Sequence, residues 1–132
     1  MAENLASLKY EDIPAEAVEA TQMDILDTIS VSIAASGTAP SCETLAELVK
    51  EMGGKEESTI ISFGGKVPAP TAAFVNATLS HALNFDDVND GASLHSACSV
   101  FPAAFAVSER MGEVSVILAL NLLPETRLLG YS

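Results

Sequence analysis

Apolar positions along the chain fall mostly at helical spacing. Downstream of Tyr10-Glu11-Asp12-Ile13-Pro14, the residues Ala17, Val18, Ala20, Met23, Ile25, Leu26, Ile29, Val31 and Ile33 predict a long helix that grows more apolar toward its end. Pro14 suits the first turn, where a missing N–H costs nothing, with Asp12 or Ile13 near the cap and Gly37 as the expected stop. Glu16, Glu19, Asp24 and Asp27 keep its earlier turns partly solvated. A second helix is expected from Pro40-Ser41, with Ser41 as N-cap and Glu43 favourably placed against the helix dipole. Leu45, Leu48, Val49 and Met52 form its apolar stripe, and Gly53-Gly54 ends it.

Residues 58–63 (Ser-Thr-Ile-Ile-Ser-Phe) are the clearest β-like run, with Gly64 and Gly65 behind them and no partner strand visible in the pattern. Pro68-Ala69-Pro70 opens a third helix that the pattern carries through Leu83. An irregular polar stretch, 84–96, precedes a fourth helix at about 100–111 with Pro102 in its first turn and Gly112 at its end. A last apolar segment, 114–123, is broken by Pro124. The fold class expected is mainly α, about five helices with one short extended segment.

The composition adds a sign to this picture. Lys and Arg number 6 against 18 Asp and Glu, for a net charge of −12 in 132 residues, one domain by the usual prior. With 48% hydrophobic residues the chain can bury a core, so disorder is excluded. Nucleic-acid binding is not expected, because phosphate contacts need clustered cations and here they stand singly. Residues 1–57 hold 12 of the 18 acids, leaving an apolar rear that suits packing against more protein or a second copy of the chain. The longest stretch without Asp, Glu, Lys or Arg, 67–85, is interrupted by Pro68, Pro70, Asn76, His81 and Asn84, so no membrane span is expected. The N-terminal residues lack a basic and apolar leader, and Cys42 and Cys98 read as reduced, semi-buried residues; the expected location is cytoplasmic.

Chemistry concentrates between His81 and His95, in a segment holding both histidines together with Asn84, Asp86, Asp87, Asn89, Asp90 and Ser93. The bland reading is that Asp86, Asp87 and Asn89 cap turns and helix ends. A magnesium-diphosphate site built on Asp86, Asp87 and Asp90 lacks a second acidic motif and the basic residues a diphosphate needs. A calcium loop starting at Asp86 places Gly91 sixth, but it has Val88 third and Ala97 twelfth, where oxygen ligands belong. A transition-metal site from His81, Asp86 and His95 has no ligand-spacing signature to support it. What remains is acid–base work on a carbon acid, with His95 on a loop before an apolar helix and a carboxylate to fix its tautomer. The competing reading of His95 is a loop histidine bonded to a backbone carbonyl, and that of His81 a hydrogen-bonded, half-buried helix residue.

The order of these features resembles the MmgE/PrpD family. Tyr10-Glu-Asp-Ile-Pro14 and Asp24-Ile-Leu-Asp27-Thr28 are similar to its opening. Ala72-Ala73-Phe74-Val75-Asn76, continuing to His81-Ala-Leu-Asn84-Phe85-Asp86-Asp87, resembles its central signature, and His95, Val100-Phe101-Pro102-Ala103-Ala104 and Glu109 complete the likeness. The family contains 2-methylcitrate dehydratase, cis-aconitate decarboxylase and an iminodisuccinate epimerase. The resemblance implies a helical domain joined to a smaller α/β domain, commonly as a homodimer, with a site between the domains that uses no metal or organic cofactor. It also implies lyase chemistry on a small polycarboxylate. By the same resemblance His95 is the catalytic acid/base, with Asp86 and Asp87 beside it, and Asn84, His81 and Ser93 are substrate-binding candidates.

Two departures stand out. Members commonly carry Asp at the position of Asn84 and Thr at that of Val88, and neither Asn nor Val can replace that chemistry. Only Lys66, Arg110 and Arg127 lie outside the acidic front, so a polycarboxylate would meet net repulsion. The expectation is therefore an N-terminal part of the helical domain without its α/β partner, not catalytically competent alone. The alternative is a non-catalytic helical dimerisation or interaction module using residues 114–123.

Overall fold

Prolines, more than glycines, set the limits of the helices. A computed structural model describes residues 10–88 and 95–112. After a 3-10 turn (Tyr10–Asp12), helix α1 runs Ala15–Thr38, α2 Pro40–Met52, α3 Ala69–His81 and α4 Ala97–Met111; strands β1 (Ser58–Thr59) and β2 (Lys66–Val67) form a small hairpin. The chain is mainly α, as the periodicity predicts, with four α-helices among the described residues. The expected apolar segment 114–123 lies outside them.

Gly37 does not stop α1. The helix continues to Thr38 and ends because Ala39 precedes Pro40, whose ring forces the residue before it into an extended conformation (φ −112°, ψ 95°). Ala39 is also the N-cap of α2, with Pro40 in the first turn, so Ser41 lies inside the helix and is not its cap. Pro14 likewise sits half outside α1, at the N-cap, one position earlier than expected. On α2 the buried residues are Cys42, Ala46 and Val49, while Leu48 and Met52 are exposed, so the inward face is rotated from the stripe of larger side chains.

The inward face of α1 is also made of small residues: Ala17, Thr21, Thr28, Ser32 and Ala35. Their hydroxyls return to their own helix, Thr21 Oγ1 to Ala17 O (2.8 Å), Thr28 Oγ1 to Asp24 O (2.7 Å) and Ser32 Oγ to Thr28 O (2.7 Å), so burial leaves none of these donors unpaired. Small side chains allow α1 to lie close against α3, its main neighbour. The larger apolar residues Met23, Leu26 and Ile33 point outward, 63%, 60% and 55% exposed.

The β-like run has a partner after all. It turns at residues 61–63 and pairs with Lys66–Val67, in antiparallel register Ser58↔Val67 and Thr59↔Lys66. Gly64 and Gly65, at φ 63° and 78°, supply the left-handed backbone that the turn needs. The hairpin is tied to the helices by polar side chains. Ser58 Oγ donates to Ala106 O (2.6 Å), and Glu109 accepts from Thr59 N–H (2.6 Å) and Thr59 Oγ1 (2.7 Å). Asn76, fully buried on α3, accepts from Ile61 N–H (2.9 Å) and donates to Thr59 O (3.0 Å).

Glu57 caps α3 from the strand side. Its Oε2 accepts the Ala69 N–H (3.1 Å), while Lys55 and Arg110 approach Oε1 at 3.0 and 3.5 Å. The backbone bond from Ala69, with help from Lys55, holds this carboxyl below its ordinary value of 4.5. Because the folded value is the lower one, the contribution is complete above that ordinary value and is lost as pH falls through the folded value. Urea midpoints followed from about pH 6 down to about pH 3 should therefore fall, and fall less steeply in Glu57→Gln. Equal slopes in the two proteins would contradict the capping role.

Helix α4 begins at Ala97, earlier than the pattern indicates, which places Pro102 inside the helix and not in its first turn. A proline there cannot donate to the carbonyl of Cys98. The Ser80 hydroxyl on α3 takes up that carbonyl (3.3 Å), sharing its proton with Ala77 O (3.0 Å). The compensation lies at the α3–α4 contact, next to the polar cluster.

Candidate active site

Helix α3 ends at His81, earlier than the sequence pattern carries it. Asn84 reverses the chain in a left-handed conformation (φ 54°), and its N–H bonds back to His81 O (3.0 Å). This reversal returns Asp86 to the helix it has just left. His81 Nδ1 sits 3.0 and 2.9 Å from the two Asp86 carboxylate oxygens. From the other side, His95, just ahead of α4, brings its Nδ1 to 3.3 Å from Asp86 Oδ2. The two rings meet edge to face, with centroids 5.1 Å apart.

The carboxylate is fully buried, whereas the His81 side chain is 51% exposed and that of His95 28%. Burial opposes the charge on Asp86, but hydrogen bonds from His81 and from the Cys98 thiol outweigh it and hold the carboxyl below its ordinary value. The same burial and the neighbouring Asp86 push the Cys98 thiol up to about 11, so it stays protonated at neutral pH; its Sγ lies 3.4 Å from His95 O. Although His95 Nδ1 lies within ion-pair distance of Asp86, it is buried and not aligned for a hydrogen bond.

The sequence candidates separate here. His81, Asp86 and His95 converge. Asp87 turns to the start of α4, accepting the Ala97 N–H (3.2 Å) and lying 3.5 Å from Ser96 Oγ, which is the capping role of the bland reading. Asn84 is exposed at the chain reversal, and Ser93 lies outside the described residues. His81 is hydrogen-bonded as expected, with its side chain about half exposed at the helix end. The residue the pattern missed is Cys98, which touches both Asp86 and the His95 backbone; its one signal was a position three residues after His95, within a single helical turn.

His81 and Cys98 also line an open, mostly apolar groove of about 400 Å³, together with Phe74, Thr78 and Ser99. Cations are engaged elsewhere. Among the described residues, Lys50 donates to Phe63 O (2.8 Å), Lys55 and Arg110 pair with Glu57, and Lys66 pairs with Glu109 at 3.7 Å. The arrangement can therefore hold a proton on a ring nitrogen fixed by a buried carboxylate, but these four cations are not turned toward a substrate carboxylate there.

Comparison with known proteins places the chain in a family. It is 32% identical over 121 residues to the cis-aconitate decarboxylase of Aspergillus terreus, covering 86% of this chain and 24% of that protein. It is 29% identical over 105 residues to a cis-aconitate decarboxylase-like protein of Aspergillus oryzae, covering 80% of this chain and 22% of that one. The chain thus spans about a quarter of the length of the curated relatives it matches. Among the described residues no helix is long and apolar enough to cross a membrane. The sequence model of the MmgE/PrpD N-terminal domain matches residues 1–127, and the chain belongs to that family.

Proposed function

We propose that this chain supplies the histidine side of an acid–base lyase site for a small polycarboxylate such as cis-aconitate. The observation that carries the reading is the buried Asp86 carboxylate held between the imidazoles of His81 and His95. A carboxylate facing Nδ1 leaves Nε2 of the same ring to accept or deliver a proton at a substrate carbon. His95 is the acid/base, Asp86 its positioning residue, and Asp87 holds the start of α4 in register beneath it. Asn84, His81 and Ser93 border the substrate. The relatives' name, cis-aconitate decarboxylase, supports the substrate class, and the acidic composition with its engaged cations supports a division of labour. Groups that grip the substrate carboxylates come from protein beyond this chain, in an arrangement that includes a second domain or a homodimer partner.

The test is a composite enzyme, the Aspergillus terreus decarboxylase carrying residues 1–127 of this chain in place of its own matched segment. It is expected to release CO₂ from cis-aconitate, and the 132-residue chain alone is not. Turnover by the chain alone that His95→Ala abolishes would overturn the division of labour. A second reading, an interaction module without chemistry, is favoured by the exposed Met23, Leu26 and Ile33 on α1. A folded composite without turnover would favour it.

A further inference from the structure

We propose that Cys98 is a positioning residue of the acid–base site, a role that rests on the lyase reading: its thiol fixes the Asp86 carboxylate against the main chain of His95. Cys98 stands in the first turn of α4 and is 8% exposed, so its S–H has to find an acceptor inside the protein. Two acceptors are within reach. The sulfur lies 3.4 Å from His95 O, and the thiol also bonds the Asp86 side chain. The N–H groups of Ser99 and Val100 turn to Ser96 O, at 3.2 and 3.0 Å, which leaves the His95 carbonyl, just outside the helix, to the thiol. The main chain of Cys98 is held as well. Pro102 cannot donate to its carbonyl, and Ser80 Oγ on α3 takes that place at 3.3 Å. Cys98 is thereby tied to His95, to Asp86 and to Ser80, the neighbour of His81.

A thiol in this place acts as a donor and not as a nucleophile. Burial and the bond to Asp86 keep its proton on up to about pH 11, so it donates across the whole range in which an imidazole changes charge. A sulfhydryl is also a weak donor, so it directs Asp86 without cancelling its charge. The carboxylate still faces His81 Nδ1 at 2.9 Å and His95 Nδ1 at 3.3 Å. Among the described residues, the charged or titratable groups around the thiol are Asp86 with these two imidazoles and Asp87, which is turned to the Ala97 N–H. Without the thiol, the charge on Asp86 falls on the imidazoles alone and holds a proton there more firmly.

Two substitutions with opposite expected effects test this role. In the composite enzyme, Cys98→Ala is expected to move the limb of the pH–rate profile that His95 controls to higher pH, whereas Cys98→Ser is not. A limb that neither substitution moves, or that both raise equally, would overturn the role. The deciding measurement uses the intact 132-residue chain without substrate, so its failure and that of the lyase reading are separable. The chain has 2 histidines, and ring-nitrogen NMR at pH 7 reads how much of each is imidazolium. Cys98→Ala is expected to raise the ratio of imidazolium to neutral ring at His95 about 3-fold. Cys98→Ser keeps a donor, and a stronger one, so the ratio is expected to stay level or fall. The amide spectrum reports whether each variant is folded, and the serine variant, which exchanges a single atom, decides alone if the alanine variant is not. An alanine variant without the rise, or a serine variant with one, would overturn the assignment.

Discussion

Asn76→Leu is expected to destabilise the chain by about 3 kcal/mol, although the substitution exchanges side chains of similar size and adds apolar area to the core. The reason lies in what the amide serves. Asn76 is fully buried at the centre of α3 and completes the hairpin where the strand ladder stops, accepting from Ile61 N–H at 2.9 Å and donating to Thr59 O at 3.0 Å. Leucine leaves one backbone donor and one acceptor inside the protein without partners. Each such group costs about 1–3 kcal/mol, more than the transfer of a buried isobutyl group recovers. For a domain of this size the melting temperature should drop by roughly 10–20 °C, read by circular dichroism with urea unfolding as a second measure. A loss below about 0.5 kcal/mol would mean that water or a shifted turn satisfies both groups.

His95→Ala in the composite enzyme is expected to lower kcat/KM by about 10²–10⁴-fold, the range for removing a general acid or base. Most of that loss belongs in kcat, because the imidazole serves the proton in transit more than the resting substrate. Asp86→Asn acts on the same step through the ring. It removes the buried negative charge that faces both imidazoles and substitutes a neutral amide. The losses should therefore not add, and the double variant should be about as slow as His95→Ala alone. Activity within about 3-fold of the starting enzyme after His95→Ala would remove His95 from the chemistry.

Much of the fold could be read in the chain because periodicity reports helices well. The order of the helices, the break at Gly53-Gly54 and the stop at Gly112 stand as the pattern indicates. What periodicity misreads is the facing of α1 and α2. Hydrophobic size marked Leu26, Ile33, Leu48 and Met52 as inward, whereas the core selects Ala, Thr, Ser and Cys for their small volume. The hairpin was half legible: the β-branched run showed one strand, but a two-residue partner made of Lys66 and Val67 carries no pattern of its own. At the candidate site, His81, Asp86 and His95 are separated by spacings that match no ligand motif. They meet because Asn84 turns left-handed and returns Asp86 to the end of α3, which is a three-dimensional fact. Asp87 could equally have faced the site, and only the position of the Ala97 N–H assigns it to the helix start.

The central claim is that a single buried carboxylate organises both imidazoles, and ring-nitrogen NMR on the intact chain tests it most directly. In Asp86→Asn, the ring signals of both histidines should move away from their positions in the unsubstituted chain, while the amide signals of α1 and α2 stay in place. A His95 ring whose nitrogen shifts are unchanged by the loss of that charge would contradict the account.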